Sequence, residues 1–173
     1  MKTIPLTKGR VALVDDEDYE RVSNHNWCAL NHSTRNKTTY AYRLTKVSEK
    51  DISTKGVLLH RFILGITDPK IQIDHNDLNG LNCQKYNMRI ATSSQNNANK
   101  KGRGKSKYRG VSFHKASRKW VATIKKYKKQ IHLGLFDSED ASAKAYDLKA
   151  KELHGEFANL NFPESNSATD NQY

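Results

Sequence analysis

The spacing of apolar and polar positions changes several times along this 173-residue chain, and each change predicts a new element. Arg10–Val14 (RVALV) predicts a short apolar strand. The acidic run Asp15-Asp16-Glu17-Asp18 then suits the start of a short helix reaching Tyr19–Val22, where carboxylates complement the backbone dipole. The same run also has the chemistry to bind a cation. Trp27–Leu30 and Thr39–Leu44 (TYAYRL) predict two strands joined by a polar turn. In Val57–Leu64, Leu59, Phe62 and Ile63 fall at helical spacing, with Gly65 as the stop. Ile71–Ile73 and Met88–Ala91 predict strands that bracket a long loop, Asn76–Tyr86, containing the turn dipeptide Asn79-Gly80. Thr92-Ser93-Ser94-Gln95 fits a capping box, so a helix starts near Ser93.

Further along, Tyr108–Phe113, Trp120–Lys126 and Lys129–Phe136 predict three strands. In the second, Trp120, Ala122 and Ile124 alternate with Val121, Thr123 and Lys125, which gives one buried and one open face. A helix then begins at Asp137, with an inward stripe of Ala141, Ala145 and Leu148 and a stop at Gly155. Phe157, Leu160 and Phe162 fold back as a hydrophobic clasp, Pro163 ends the order, and Glu164–Tyr173 is expected to be a disordered tail.

Composition turns these elements into small modules. Apolar residues make up only 36% of the chain, too few for one large core. The expected division is a β-rich unit at 1–55, a second module at 56–99, a basic linker at 100–105, a strand-and-helix domain at 106–163 and the tail at 164–173. The fold class is therefore α+β.

Charge adds a partner. The net charge is +12, and its distribution is uneven: +4 over residues 1–96, +10 over 97–163 and −2 over the tail. No acid occurs between Asp77 and Asp137, while 13 Lys and Arg fall between Asn97 and Phe136. A local excess of this size on strands and turns points to a polyanion. The two cysteines, Cys28 and Cys83, exclude a disulfide framework and a Cys-based zinc site. No apolar run approaches the ~20 residues that span a bilayer, and no signal peptide is recognised, so an intracellular protein without a membrane partner is expected.

Candidate chemistry lies in Ile71–Lys101, where Asp74-His75 is followed by Asn87 and Asn96. A carboxylate at a strand end and an amide one turn into a helix are hard oxygen donors, suited to a single Mg²⁺ or Mn²⁺ that keeps water and takes a phosphate oxygen. A neutral imidazole at position 75 has the chemistry of a general base for water attacking phosphorus. In an unbroken strand His75 points away from Asp74; a bend there would turn it towards the metal region. The Asn87 amide is placed to brace the loop and orient the imidazole.

These residues resemble the ββα-metal motif of HNH homing endonucleases, a family common in bacteriophages. The resemblance covers about residues 58–100 and includes Leu59-His60-Arg61-Phe62. Asn96 stands where many members have His, so the motif is an HNN variant that favours Mg²⁺ or Mn²⁺ over Zn²⁺. The resemblance implies that Asp74 and Asn96 hold one divalent metal, that His75 is the general base and that Asn87 supports it. His60, Arg61 and Arg89 are possible accessory residues, with Arg61, Lys85 and Arg89 as possible contacts to the DNA backbone.

Ser106–Pro163 resembles an AP2 DNA-binding domain. The landmarks are Ser106-Lys107-Tyr108-Arg109-Gly110-Val111, Lys119-Trp120, Leu133-Gly134-Leu135-Phe136-Asp137, Ala145-Tyr146-Asp147 and Leu160-Asn161-Phe162-Pro163. The resemblance implies a three-stranded antiparallel sheet in the major groove, backed by one helix. It makes Arg109, Ser112, His114, Thr123, Lys125, Gln130 and His132 the DNA-facing positions, with Trp120 in the core. The whole chain then reads as a metal-dependent endonuclease of double-stranded DNA, acting as a monomer, nicking or cutting at a site anchored by the C-terminal sheet. The phage-type resemblance places it in a bacterial cytoplasm. The rival is a DNA-binding transcription regulator with an inactive nuclease module. An RNA-binding structural protein fits less well, because the sheet lacks an aromatic face for base stacking.

Overall fold

A computed structural model describes residues 1–31, 38–46, 54–100, 104–127 and 129–163. The chain divides into two compact units, Met1–Asn96 and Asn97–Tyr173. Residues 101–103 of the expected linker and the whole expected tail at 164–173 lie outside the described residues.

In the first unit, β1 (Lys2–Pro5) and β2 (Val11–Val14) pair antiparallel, with Lys2 opposite Val14 and Pro5 opposite Val11. Helix α1 (Asp16–Ser23) follows, with Asp16, Glu17 and Asp18 in its first turn, where the backbone dipole favours them. Strands β3 (Cys28–Asn31), β4 (Thr39–Lys46) and β5 (Thr54–Leu58) form an antiparallel sheet in that order. Helix α2 (Leu59–Leu64) ends at Gly65, which caps it in the left-handed conformation (φ 66°). The helical spacing expected from Val57 begins two residues late. Val57 and Leu58 instead extend β5, because Arg43 and Tyr42 of β4 lie opposite them and offer ladder pairing.

Strands β6 (Gln72–His75) and β7 (Met88–Ala91) then form an antiparallel hairpin, and α3 (Ser93–Ala98) follows. The capping box forms as expected: Gln95 Oε1 accepts from the Thr92 amide at 2.8 Å, and Thr92 Oγ1 accepts from the Gln95 amide at 3.3 Å.

Among the described residues one buried cluster draws on both halves of the unit. Ile4, Val14, Val22, Trp27 and Ala41 pack in the same buried cluster as Leu59, Ile63, Cys83 and Met88. The two segments read separately from sequence, 1–55 and 56–99, thus contribute to one interior. Strands of four residues expose only two side chains to a given face, so neither segment alone offers much apolar surface to bury.

In the second unit, β8 (Val111–His114), β9 (Lys119–Lys126) and β10 (Lys129–Phe136) form an antiparallel sheet with β9 in the middle. Helix α4 (Glu139–His154) packs on it. Ser138 is the N-cap, and its side chain accepts from the Ala141 amide at 3.1 Å. The core contains Ile124, Tyr146 and Ala150, with Ile131, Leu133, Leu153 and Leu160 against it.

The expected stripe of Ala141, Ala145 and Leu148 is corrected: α4 buries Ser142, Ala143, Tyr146, Asp147 and Ala150, and Leu148 is 72% exposed. The cause is Tyr146. Its ring fills the space above Gly110, where a Cβ would lie 2.1 Å from ring carbon Cδ2, so the largest side chain sets the helix rotation. The fold-back expected at 157–162 has a polar component. Asp147 accepts from the backbone of Asn161 and Phe162 at 2.9 and 2.8 Å, and from Asn161 Nδ2 at 3.0 Å. Phe157 is buried, while Phe162 lies against Tyr108 with ring centroids 5.1 Å apart. Among the described residues no helix is long and apolar enough to cross a membrane.

Candidate functional site

Asp74 and His75 are the last two residues of β6, and both are buried. The ladder runs unbroken through them, with Asp74 opposite Arg89 and His75 opposite Met88, and the Asp74 charge acts on both the His75 imidazole and the Tyr40 phenol. Gln72 shares the Asp74 face. Its Nε2 donates to Ser93 Oγ at 2.8 Å, and its Oε1 accepts from Asn96 Nδ2 at 3.4 Å. The Asp74 face of β6 is therefore the one turned to α3. Arg89 lies beside Asp74 and donates from Nε at 3.0 Å to Oδ2, with Nη2 2.9 Å from the same oxygen.

His75 meets other rings. Its centroid is 5.1 Å from that of His60, edge to face at 88°, and 5.8 Å from that of Tyr40. Burial pushes the His75 imidazole below its ordinary value, opposed by the Asp77 and Asp74 carboxylates. Burial, together with the His75 and Arg61 charges, pushes His60 down to about 3. His60 is neutral at ordinary pH, and burial biases His75 towards the neutral form that can accept a proton.

Asn87 is buried at the far end of the loop. Its Oδ1 accepts from the Asp77 amide at 3.0 Å, its Nδ2 donates to Asp77 Oδ1 at 3.0 Å and Asn82 O at 2.9 Å, and its backbone oxygen accepts from the Asn76 amide at 2.8 Å. These bonds tie the residues just after His75 to the start of β7. The amide thus braces the loop, and any influence on the imidazole passes through that backbone.

Sequence reasoning missed the support beneath this loop. Asp15 caps no helix amide with its side chain; it accepts instead from Gln84 Nε2 at 3.0 Å and the Lys85 amide at 2.8 Å. Lys85 pairs with Glu17 and Asp18. The Leu13 amide donates to Leu81 O at 2.8 Å, and its carbonyl accepts from Cys83 at 2.9 Å. Acids some 70 residues away hold the loop, and no local signal marks such a contact. Cys83 is buried, and burial pushes its thiol up to about 12, which leaves it chemically quiet.

Of the accessory candidates, Arg61 donates to Ile71 O at 2.9 Å and to Asp68 O, bracing the turn before β6. Arg89 is engaged with Asp74 and Lys85 with the acids of α1. All three expected backbone contacts therefore have partners inside the protein. His60 faces rings rather than open surface.

The described residues hold no group of three His, Cys, Asp or Glu side chains placed around one metal ion. The donor chemistry available is one carboxylate, Asp74, on the strand face turned to α3, and one carboxamide, Asn96, on α3 itself. Two hard oxygen donors fit Mg²⁺ or Mn²⁺, which take few protein ligands and complete their shell with water and phosphate.

The sheet of the second unit presents a different surface. The register sets Gln130 opposite Lys125 and His132 opposite Thr123, with Ser112 opposite Val121 and His114 opposite Lys119. Ser112, His114, Thr123, Lys125, Gln130 and His132 therefore share the face opposite α4, and all but Thr123 are exposed. A bulge between His132 and Gly134 (φ 134°) shifts the alternation and brings Leu135 onto that face. Arg109 differs: its guanidinium donates to the backbone oxygens of Asn97, at 2.9 Å, and Lys100. Trp120, expected in the core, is half-buried and edge-on to Phe113.

Residues 106–156 match the AP2 domain family. APETALA2-like protein 2 of Oryza sativa subsp. indica is 48% identical over 62 residues, which are 35% of this chain and 14% of that protein. An ethylene-responsive transcription factor of Arabidopsis thaliana is 46% identical over 63 residues, 35% of this chain and 34% of its own. The chain thus spans about a third or less of these plant relatives. An HNH endonuclease of Acanthamoeba polyphaga mimivirus is 30% identical over 157 residues, which are 87% of this chain and 74% of that protein. A match of that length runs through both units, and the chain belongs to the family of this viral HNH endonuclease, with an AP2 domain at residues 106–156.

Proposed function

We propose that this protein is a metal-dependent endonuclease that hydrolyses phosphodiester bonds of double-stranded DNA. The observation that carries the reading is the buried Asp74-His75 pair at the end of β6, with an imidazole biased to the neutral form and a carboxylate on the face turned to Asn96. His75 accepts the proton of the attacking water at a ring nitrogen. Asn87 fixes the loop that leaves His75, and the Asp15 clamp fixes the other end of that loop. Asp74 and Asn96 hold a divalent cation, Mg²⁺ or Mn²⁺, which when bound supplies positive charge to the phosphate and the leaving oxygen.

The AP2 domain grips duplex DNA through the open face bearing Lys125, Gln130 and His132. Its basic residues attract phosphates, and its polar side chains meet base edges. Being covalently joined, the grip raises the local concentration of the nuclease on the DNA it holds. A monomer with one such site breaks one strand per event.

The test is incubation of supercoiled plasmid with the protein and Mg²⁺ or Mn²⁺, with and without EDTA. Relaxation or linearisation is expected, abolished by EDTA and by His75→Ala with DNA binding kept. Tight DNA binding with no cleavage in either metal would instead make the chain a regulator, as its plant AP2 relatives are named.

A further inference from the structure

Tyr40 lies on β4, in a segment whose sequence shows no chemistry. Its ring nonetheless meets both buried imidazoles of the first unit. The centroids stand 5.8 Å from His75, at 53°, and 5.5 Å from His60, at 61°. His60 and His75 close the third side at 5.1 Å. Rings from β4, α2 and β6 thus form a triangle.

The loop backbone at Gly80 closes on the Tyr40 ring of this triangle. A Cβ at Gly80 would lie 2.6 Å from Tyr40 Cε1, 2.7 Å from Tyr40 Cδ1 and 2.6 Å from the Thr39 carbonyl oxygen. Only glycine allows so close an approach, and it removes room into which the Tyr40 ring would otherwise swing. Burial keeps His60 neutral, so the ring packed on His75 brings no like charge to it.

Ring pairs at these separations have preferred offset or edge-to-face geometries. Two of them on one imidazole restrict its rotation about χ2. A general base gains from that restriction, because an error of about 1 Å in placement costs roughly 100-fold in rate.

We propose that Tyr40 and His60 are positioning residues: with the Gly80 turn against Tyr40, they clasp the His75 ring and set its orientation for taking a proton from water at a DNA phosphodiester. The proposal rests on the nuclease reading above. It gives the N-terminal sheet a direct part in the site.

The experiment uses the full chain and single-turnover nicking of supercoiled plasmid in Mn²⁺, measuring the rate at saturating protein and the half-saturating concentration. In parallel, ¹H–¹³C spectra follow the His75 ring signals in DNA-free protein, assigned by their loss in His75→Gln. Tyr40→Leu is expected to slow the saturated rate roughly 10- to 100-fold and to leave the half-saturating concentration within about twofold. Tyr40→Phe keeps the ring and should restore the rate. The His75 signals should move in Tyr40→Leu and stay in Tyr40→Phe. If Tyr40→Leu fails to fold, His60→Ala carries the same expectation.

A wild-type rate in Tyr40→Leu overturns the proposal. So does a loss shared equally by rate, half-saturation and melting temperature with the His75 signals unmoved, since that pattern marks a merely structural residue. If the wild-type chain nicks no DNA while Tyr40→Leu still moves the His75 signals, the nuclease reading fails and takes the catalytic role with it, although the ring contact is real. The two failures therefore give different results.

Discussion

Single residues in the first unit are read most clearly through their charge states. His60 is buried among rings and titrates near 3 in the folded chain, against 6.5 for an ordinary histidine. Between those values the unfolded chain binds the extra proton and the folded chain does not. The stability that His60 contributes is complete above about pH 6.5 and is lost progressively as the pH falls towards 3. His60→Phe keeps a ring and removes the titration. Urea midpoints at pH 7 and pH 4 should therefore differ less in the variant than in wild type; an equal acid loss would show that His60 is solvated. The neighbouring Asp74 is also buried, against a partly exposed Arg89, and a buried charge that loses its partner is costly, so Arg89 supports the carboxylate as well as neutralising it.

At the scale of elements, short strands are held by polar anchors from distant segments. The Asp15 carboxylate fastens the loop between β6 and β7, and Asp147 of α4 fastens the returning chain at Asn161 and Phe162. Asp147 is buried and accepts three hydrogen bonds there. Asp147→Ala strands two backbone amides and should lower stability by about 3 kcal/mol, read from a urea or thermal melt of the full chain. A change below about 0.5 kcal/mol, the level of an ordinary surface substitution, would mean that the fold-back is held by Phe157 and Leu160 alone. Most elements were legible from periodicity and from caps at Thr92–Gln95, Gly65 and Gly155. The rotation of α4 was not, because Ala141, Ala145 and Leu148 satisfy the helical period as well as Ala143, Tyr146 and Ala150 do. The choice fell to the fit of Tyr146 over Gly110.

Across the whole molecule, charge is the dominant feature. The chain carries a net +12, of which residues 97–163 hold +10. If the open sheet face grips DNA, Lys125 neutralises one phosphate. Replacing it with Gln should flatten the plot of log affinity against log salt by about one unit, since each phosphate contact contributes a slope of roughly 0.9. Fluorescence anisotropy with a labelled duplex over a salt series measures this. An unchanged slope would move the contact surface elsewhere. Arg109 should be silent in the same assay if its guanidinium stays on the Asn97 and Lys100 carbonyls.

Local order along the chain was enough to fix the strand–loop–strand–helix run around Asp74 and Asn96, the sheet and helix after residue 106, and the free, uncrosslinked cysteines. Each follows from periodicity, turn residues or counting, which act over a few positions. The partners of the candidate site were not readable in this way. Tyr40 beside His75, Arg89 on Asp74 and Asp15 under Lys85 join residues 15 to 70 positions apart. Such pairs arise because the short segments of the first unit bury their apolar sides in one shared core, and that packing, which no local pattern encodes, selects which polar groups and rings meet.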